Sequence, residues 1–208
     1  MLEHEYTLLG GISRLQIGRY LALISATVSG FIVFILLSWV DLAQRFGIAA
    51  SIPPSVLSFV GAGTVFTALT WLLNRHAWRW KFINGVLQIP DLSGKWNCTG
   101  TIMATPSNPP FDWTGEIVIV QTWDKIRVRL KTNTSASNSR SAALIKDEAD
   151  GWRLFYSYRN EPNIDQPHLN AHRGFSEILF DLDLQSGSGE YFNGHGRYTF
   201  GTMSLERV

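Results

Sequence analysis

Two runs without a charge constrain this chain more than anything else in it. YLALISATVSGFIVFILLSWV extends over 21 residues from Tyr20 to Val40, and IPPSVLSFVGAGTVFTALTWLL over 22 from Ile52 to Leu73. At about 1.5 Å of rise per residue, a helix over either run would reach the roughly 30 Å of a bilayer core. Two such runs in succession are foreign to a soluble core, so the reading is two transmembrane helices. Trp39, Trp71, Trp78 and Trp80 lie near the edges of the runs, as interfacial belts favour. The first run is too long for a signal-peptide core and is expected to be retained. Arg14 and Arg19 precede it, Arg75, Arg79 and Lys81 follow the second, and the connecting loop offers only Arg45. Cytoplasmic flanks are rich in Lys and Arg, which predicts a multi-pass inner-membrane protein with both termini in the cytoplasm.

Small residues recur on the spans. Ala22, Ala26 and Gly30 fall every four positions on one face of the first, and Ser58 with Ala62, then Gly63 with Thr67, do so on the second. Such stripes let helix backbones approach closely in lipid. Two uses stand: self-association between copies, or seating the two helices of one protomer together. Neither span contains an ionisable residue, so nothing there suggests a proton relay.

Beyond residue 91 the pattern changes to short alternating runs. Strands are expected near 94–104, 114–123, 125–133, 138–147, 151–160, 172–183, 188–193 and 196–207, punctuated by turn signals such as SNPPFD and EADGW. KIRVRLKT sets Ile126, Val128 and Leu130 against Lys125, Arg127, Arg129 and Lys131, a strand with an apolar and a cationic face. The cationic face is read as solvated and outward, free to steer an anion or to meet anionic lipid headgroups. The division expected is a two-helix transmembrane region over 1–80 and a cytoplasmic β-domain over 91–208. For that domain an eight-stranded antiparallel up-and-down barrel, lipocalin-like, is favoured over a sandwich. An early tryptophan, Trp96, would plug one end, with Arg197 as a late arginine packing over it. A barrel of eight strands can hold one small ligand.

LFYSYRNEP, Leu154 to Pro162, would then place Leu154, Tyr156, Tyr158 and Asn160 on one face. That face starts apolar and turns polar, which suits a packed floor and a polar mouth. Tyrosine offers a flat ring and a hydroxyl, and asparagine can pair with a base edge or a ribose hydroxyl. By parity Arg197 and Thr199 join this inward set, and Trp123, Lys125, Ser137, Ser139 and Tyr191 lie at strand ends or loops. His168 and His172 are four apart around a proline-containing loop without a carboxylate or thiol cluster, so no metal or cofactor is expected. No nucleophile elbow, P-loop or zincin motif occurs, which agrees with a sensor and not an enzyme. The near balance of 18 Lys and Arg against 17 Asp and Glu gives no support for a DNA or RNA polymer as partner. The single cysteine, Cys98, permits no internal disulfide.

In order along the chain, the two spans, DLSGKWNCTGTI, QTWDKIRVRLKT, SASNSRSAALI, LFYSYRNEP, HRGFSEILF, GEYF and GRYTFGTMSL resemble one bacterial family. It is the two-transmembrane, β-strand-rich effector family of cyclic-oligonucleotide anti-phage signalling (CBASS). The resemblance implies a barrel that binds a cyclic dinucleotide made by a cGAS-like nucleotidyltransferase. It further implies self-association of the membrane helices, disruption of the inner membrane and abortive infection. The competing reading from the residues is a membrane-tethered barrel carrying a lipid or other apolar ligand.

Overall fold

A computed structural model describes residues 3–104, 109–147, 149–195 and 197–208, with the side chain of Ser58 left aside. The chain forms two compact units, one of residues 12–83 and one that joins the first eleven residues to 84–208.

In the helical unit, α1 runs from Arg14 to Arg45, opened by a capping box in which Ser13 and Gln16 satisfy each other's backbone N–H groups. Its 32 residues span ~48 Å, and among the described residues it is the one helix long and apolar enough to cross a membrane. The second apolar run departs from expectation. It is divided into α2, Pro54–Phe59, and α3, Ala62–Arg75, instead of forming one continuous span. Pro54 opens α2, and Gly61 caps α3 in an extended conformation, so the helical ladder stops at Val60. The carbonyl of Val60 accepts the hydroxyl of Ser29 on α1. Ser25 and Ser29 are the buried positions along the middle of α1, whereas Ala22, Ala26 and Gly30 are exposed. The seating of α1 within the unit thus uses the stripe beside the expected one. Ala62, Gly63 and Thr67 are exposed on α3, and Ser58 lies outside the described side chains. A short helix, α4, covers Lys81–Leu87.

The other unit is a closed barrel. The eight expected strands are β2 (Gly94–Ile102), β3 (Phe111–Gln121), β4 (Lys125–Thr132), β5 (Ser135–Asp147), β6 (Gly151–Pro162), β7 (His172–Phe180), β8 (Ser186–Asn193) and β9 (Phe200–Arg207). Sequential strands pair antiparallel from β2 to β9, and β9 returns to β2. A ninth strand was not expected. The N-terminal β1, His4–Leu9, enters the sheet between β4 and β5, antiparallel to the first and parallel to the second. The expected SNPPFD and EADGW turns fall partly outside the described residues, at 107–108 and 148.

The meander makes successive turns alternate between two ends. At one end Trp96, Phe180, Leu92, Ile117, Ile126, Leu144, Leu154 and Leu205 form a fully buried floor. Trp96 meets Phe180 edge-on at 5.0 Å and donates its indole N–H to the Leu92 carbonyl. The arginine over Trp96 is Arg207 and not Arg197. The Arg207 guanidinium lies 5.1 Å from the ring and donates to the carbonyls of Leu184, Asp91 and Ser93. β9 begins only at Phe200, so Arg197 precedes the strand and lies at the opposite end of the barrel.

Candidate functional site

The other end of the barrel is hollow. A cavity of about 340 Å³ opens there, at the lower end of the range usual for enclosed ligands. Its walls follow from alternation. Along β6, Leu154 belongs to the floor, and Tyr156, Tyr158 and Asn160 climb the wall, all buried. On β5, the serine-rich run puts Ser135 and Ser137 on the same wall, beside Thr132 and Leu130 of β4. Opposite stand Trp113 of β3, Met203 of β9 and Tyr191 with Asn193 of β8.

Glycines make room for the rings. A Cβ on Gly174 would fall 2.3 Å from Cζ of Tyr158, and one on Gly100 would fall 2.4 Å from the Trp113 ring. The aromatics therefore lie flat against bare backbone, which widens the cavity between them. Tyr156 and Tyr158 have ring centroids 5.9 Å apart, and the Trp113 indole N–H donates to the Tyr191 hydroxyl at 2.9 Å. Tyr158 donates to Asn193 Oδ1 at 2.9 Å, and Asn193 Nδ2 donates to Thr199 Oγ1 at 2.8 Å. This relay ties the β8–β9 loop, which carries Arg197, to the cavity wall.

Two polar side chains stand apart from these networks. Asn160 is 7 % exposed and Ser137 is 5 % exposed, they are direct register partners on β6 and β5, and both line the cavity. Neither side chain has a hydrogen-bond partner among the described residues. Buried polar groups are paired as a rule, so an amide and a hydroxyl facing one hollow without protein partners are fitted to an incoming one.

The electrostatics are equally simple. Burial holds the hydroxyls of Tyr156 and Tyr158 protonated well above the usual phenol range and raises that of Tyr191. Burial foremost, with Arg197 nearby, lowers His172 below its ordinary value, so the imidazole lining the cavity is neutral at neutral pH. Arg197 is then the one permanent cation among the described lining residues, with Asp112 the one carboxylate. Such a wall can stack flat rings, hydrogen-bond their edges and pair with an anion.

Of the residues expected from the sequence, Tyr156, Tyr158, Asn160, Ser137, Tyr191 and Arg197 are brought together here. Thr199 sits at the rim, engaged by Asn193. Three are corrected. Ser139 is buried but turned away from the cavity, accepting the Val128 N–H and lying 2.7 Å from His4 Nε2. Trp123 lies in the β3–β4 turn and Lys125 opens β4 just after it, at the floor end, because each turn of a meander lies opposite the one before. Trp113, Asn193 and His172 are wall residues that sequence reading missed. The alternation of β3 and β8 could have shown the first two.

Comparison with known proteins agrees with the architecture. Residues 87–207 match the family model described as "Cap15, cyclic dinucleotide receptor domain", and residues 15–79 match "Cap15, TM helices". The chain is 38 % identical over 208 residues to the CD-NTase-associated protein 15 of Yersinia aleksiciae, covering 100 % of this chain and 99 % of that protein. A membrane-helix region joined to a receptor barrel, matched over both parts and along the whole length, places this chain in the Cap15 family of CBASS effectors.

Proposed function

We propose that the barrel cavity binds a cyclic dinucleotide between the Tyr156–Tyr158 wall and Trp113, without hydrolysing it. Asn160 and Ser137 meet a base edge or ribose hydroxyl, and Arg197 meets a phosphate. Binding promotes self-association of the membrane helices, and the assembled form disrupts the inner membrane during phage infection. Both termini lie in the cytoplasm, where the nucleotide is made. The observation that carries the reading is the buried pair Asn160 and Ser137, turned without protein partners into an aromatic-walled cavity. A lipid carrier would line the same space mainly with apolar groups, and this wall is mixed.

Assembly is assigned to the exposed stripe Ala22, Ala26 and Gly30. Space around Gly30 is open, with nothing within 4 Å of an added Cβ, so a larger residue there can be accommodated inside one protomer. The full chain in vesicles is titrated with cyclic di-AMP, cyclic di-GMP and cyclic GMP–AMP, and binding, product formation, crosslinking and dye release are measured. Binding without product, crosslinking and leakage are expected from the parent. Gly30→Leu is expected to bind equally and neither crosslink nor leak. Turnover of nucleotide, or full leakage from Gly30→Leu, would refute the corresponding part.

A further inference from the structure

The matched receptor domain begins at residue 87, yet one strand of the barrel, β1, lies outside it. β4 and β5 pair directly over one short bridge, Arg129–Lys131 with Ala136–Asn138, on the cavity side. Toward the floor they separate, and β1 fills the gap. His4 and Glu5 pair with Ile126 and Lys125, and Tyr6 to Leu9 with Ala142 to Ile145.

The point of separation is chemically marked. A register shift between Ser139 and Ser141 turns β5 aside, and Ser139 Oγ accepts the Val128 N–H that would otherwise lack a ladder partner. His4 Nε2 reaches the same hydroxyl at 2.7 Å. One step above, Leu130 and Ser137, partners across the bridge, both line the cavity. The top of the β1 slot and the wall of the ligand site are therefore the same two strands.

At its lower end β1 is anchored and then leaves. Tyr6 is buried, donates to the Thr122 carbonyl and receives the amide N–H of Gln121. Gln121 also accepts the Leu92 N–H and donates to the Pro90 carbonyl, where the chain re-enters the barrel. After Leu9 only Gly10, in the left-handed region at φ +82°, Gly11 and Ile12 precede the Ser13 cap of α1.

We propose that β1 is the element through which an occupied cavity acts on α1. A ligand set against Leu130 and Ser137 holds the β4–β5 bridge closed, fixes the fork at Ser139 and grips His4 to Leu9 in the slot. The short connector passes that restraint to the start of the helix. The proposal rests on the cavity being the dinucleotide site.

Hydrogen exchange on the full chain in vesicles, with and without cyclic di-AMP, cyclic di-GMP or cyclic GMP–AMP, tests it. The amides of residues 4–9 and 126–128 are expected to slow at least about tenfold with a dinucleotide that binds. A second variant carries eight Gly and Ser residues between Gly10 and Gly11, which leaves β1 in place and slackens the link. It is expected to bind within about twofold of the parent, keep β1 protection, and lose ligand-dependent crosslinking at least about tenfold. Exchange in β1 that ignores bound nucleotide, or an insertion variant that assembles like the parent, overturns the coupling. A parent that binds but does not crosslink refutes ligand-driven assembly, and β1 protection then decides the coupling alone. Binding of none of the three removes the reading beneath it and the proposal with it.

Discussion

Replacing Asn160 by leucine should separate binding from stability, because the side chain does nothing for the empty barrel. Asn160→Leu keeps the volume nearly constant, so no large cavity opens on the β6 wall. The amide is 7 % exposed and has no protein partner, so the folded state gains no side-chain hydrogen bond from it. A buried unpaired amide costs the folded state about 1–3 kcal/mol, part of which cavity water relieves. Stability should therefore hold or rise, and a gain of 1 kcal/mol would appear as roughly 3–6 °C in melting temperature for a domain of this size. Binding should move the other way. A lost ligand hydrogen bond, with the ligand's polar group left facing leucine, costs about 1–3 kcal/mol, or roughly 5- to 150-fold in Kd. Thermal unfolding followed by tryptophan fluorescence, beside calorimetric titration with the tightest-binding cyclic dinucleotide, reads both. A melting temperature several degrees below the parent with unchanged affinity would show that Asn160 is a packing residue and that the assigned wall is wrong.

Three further outcomes follow from neighbouring contacts. Gly174→Ala would drive the Tyr158 ring from the backbone it lies on and break its bond to Asn193, so affinity should fall at least about tenfold with a stability loss of ~1–3 kcal/mol, measured by the same two assays. The two late arginines should part company: Arg207→Ala removes three carbonyl contacts and the cover of Trp96 and should destabilise by ~2–4 kcal/mol, whereas Arg197→Ala should leave stability within ~0.5 kcal/mol and weaken nucleotide binding most at low salt. Burial pushes the Cys98 thiol from 9.0 to about 12, so folded and unfolded chains are both protonated below pH 9 and only the unfolded one ionises between the two values. Denaturant midpoints should accordingly be flat from pH 7 to 8.5 and fall above pH 9, with Cys98→Ala postponing the fall until the buried tyrosines take over.

What the sequence could show was whatever depends on local period, and what it hid depends on where strands begin and which end they reach. Leu154, Tyr156, Tyr158 and Asn160 share a face because β6 runs unbroken through all four, so simple alternation found the wall. Its place near a strand end groups Ser139 with the site, and the register shift beside it, where Ser135 and Ser137 give way to Ala142 and Leu144 as the inward positions, could not be read from that. The analogy with a late arginine over the tryptophan failed, because it picked Arg197 where Arg207 takes that place. Both have inward parity, but the Gly-rich approach to β9 delays the strand to Phe200, which leaves Arg207 at the floor and Arg197 at the mouth. The misplacement of Trp123 and Lys125 was avoidable, because a meander that starts at a tryptophan floor must return to that floor at its second turn. The break in the second apolar run needed Ser29 of α1 to donate its hydroxyl, since an uncapped carbonyl at Val60 would be untenable in lipid without it. β1 was the least visible. HEYTLL is a strand only against partners more than a hundred residues away, and six residues ahead of a hydrophobic helix carry no turn signal of their own. The element hardest to see from local pattern is thus the one whose partners are entirely non-local, and it is also the one that joins the cavity-lining strands to the membrane helix by three residues.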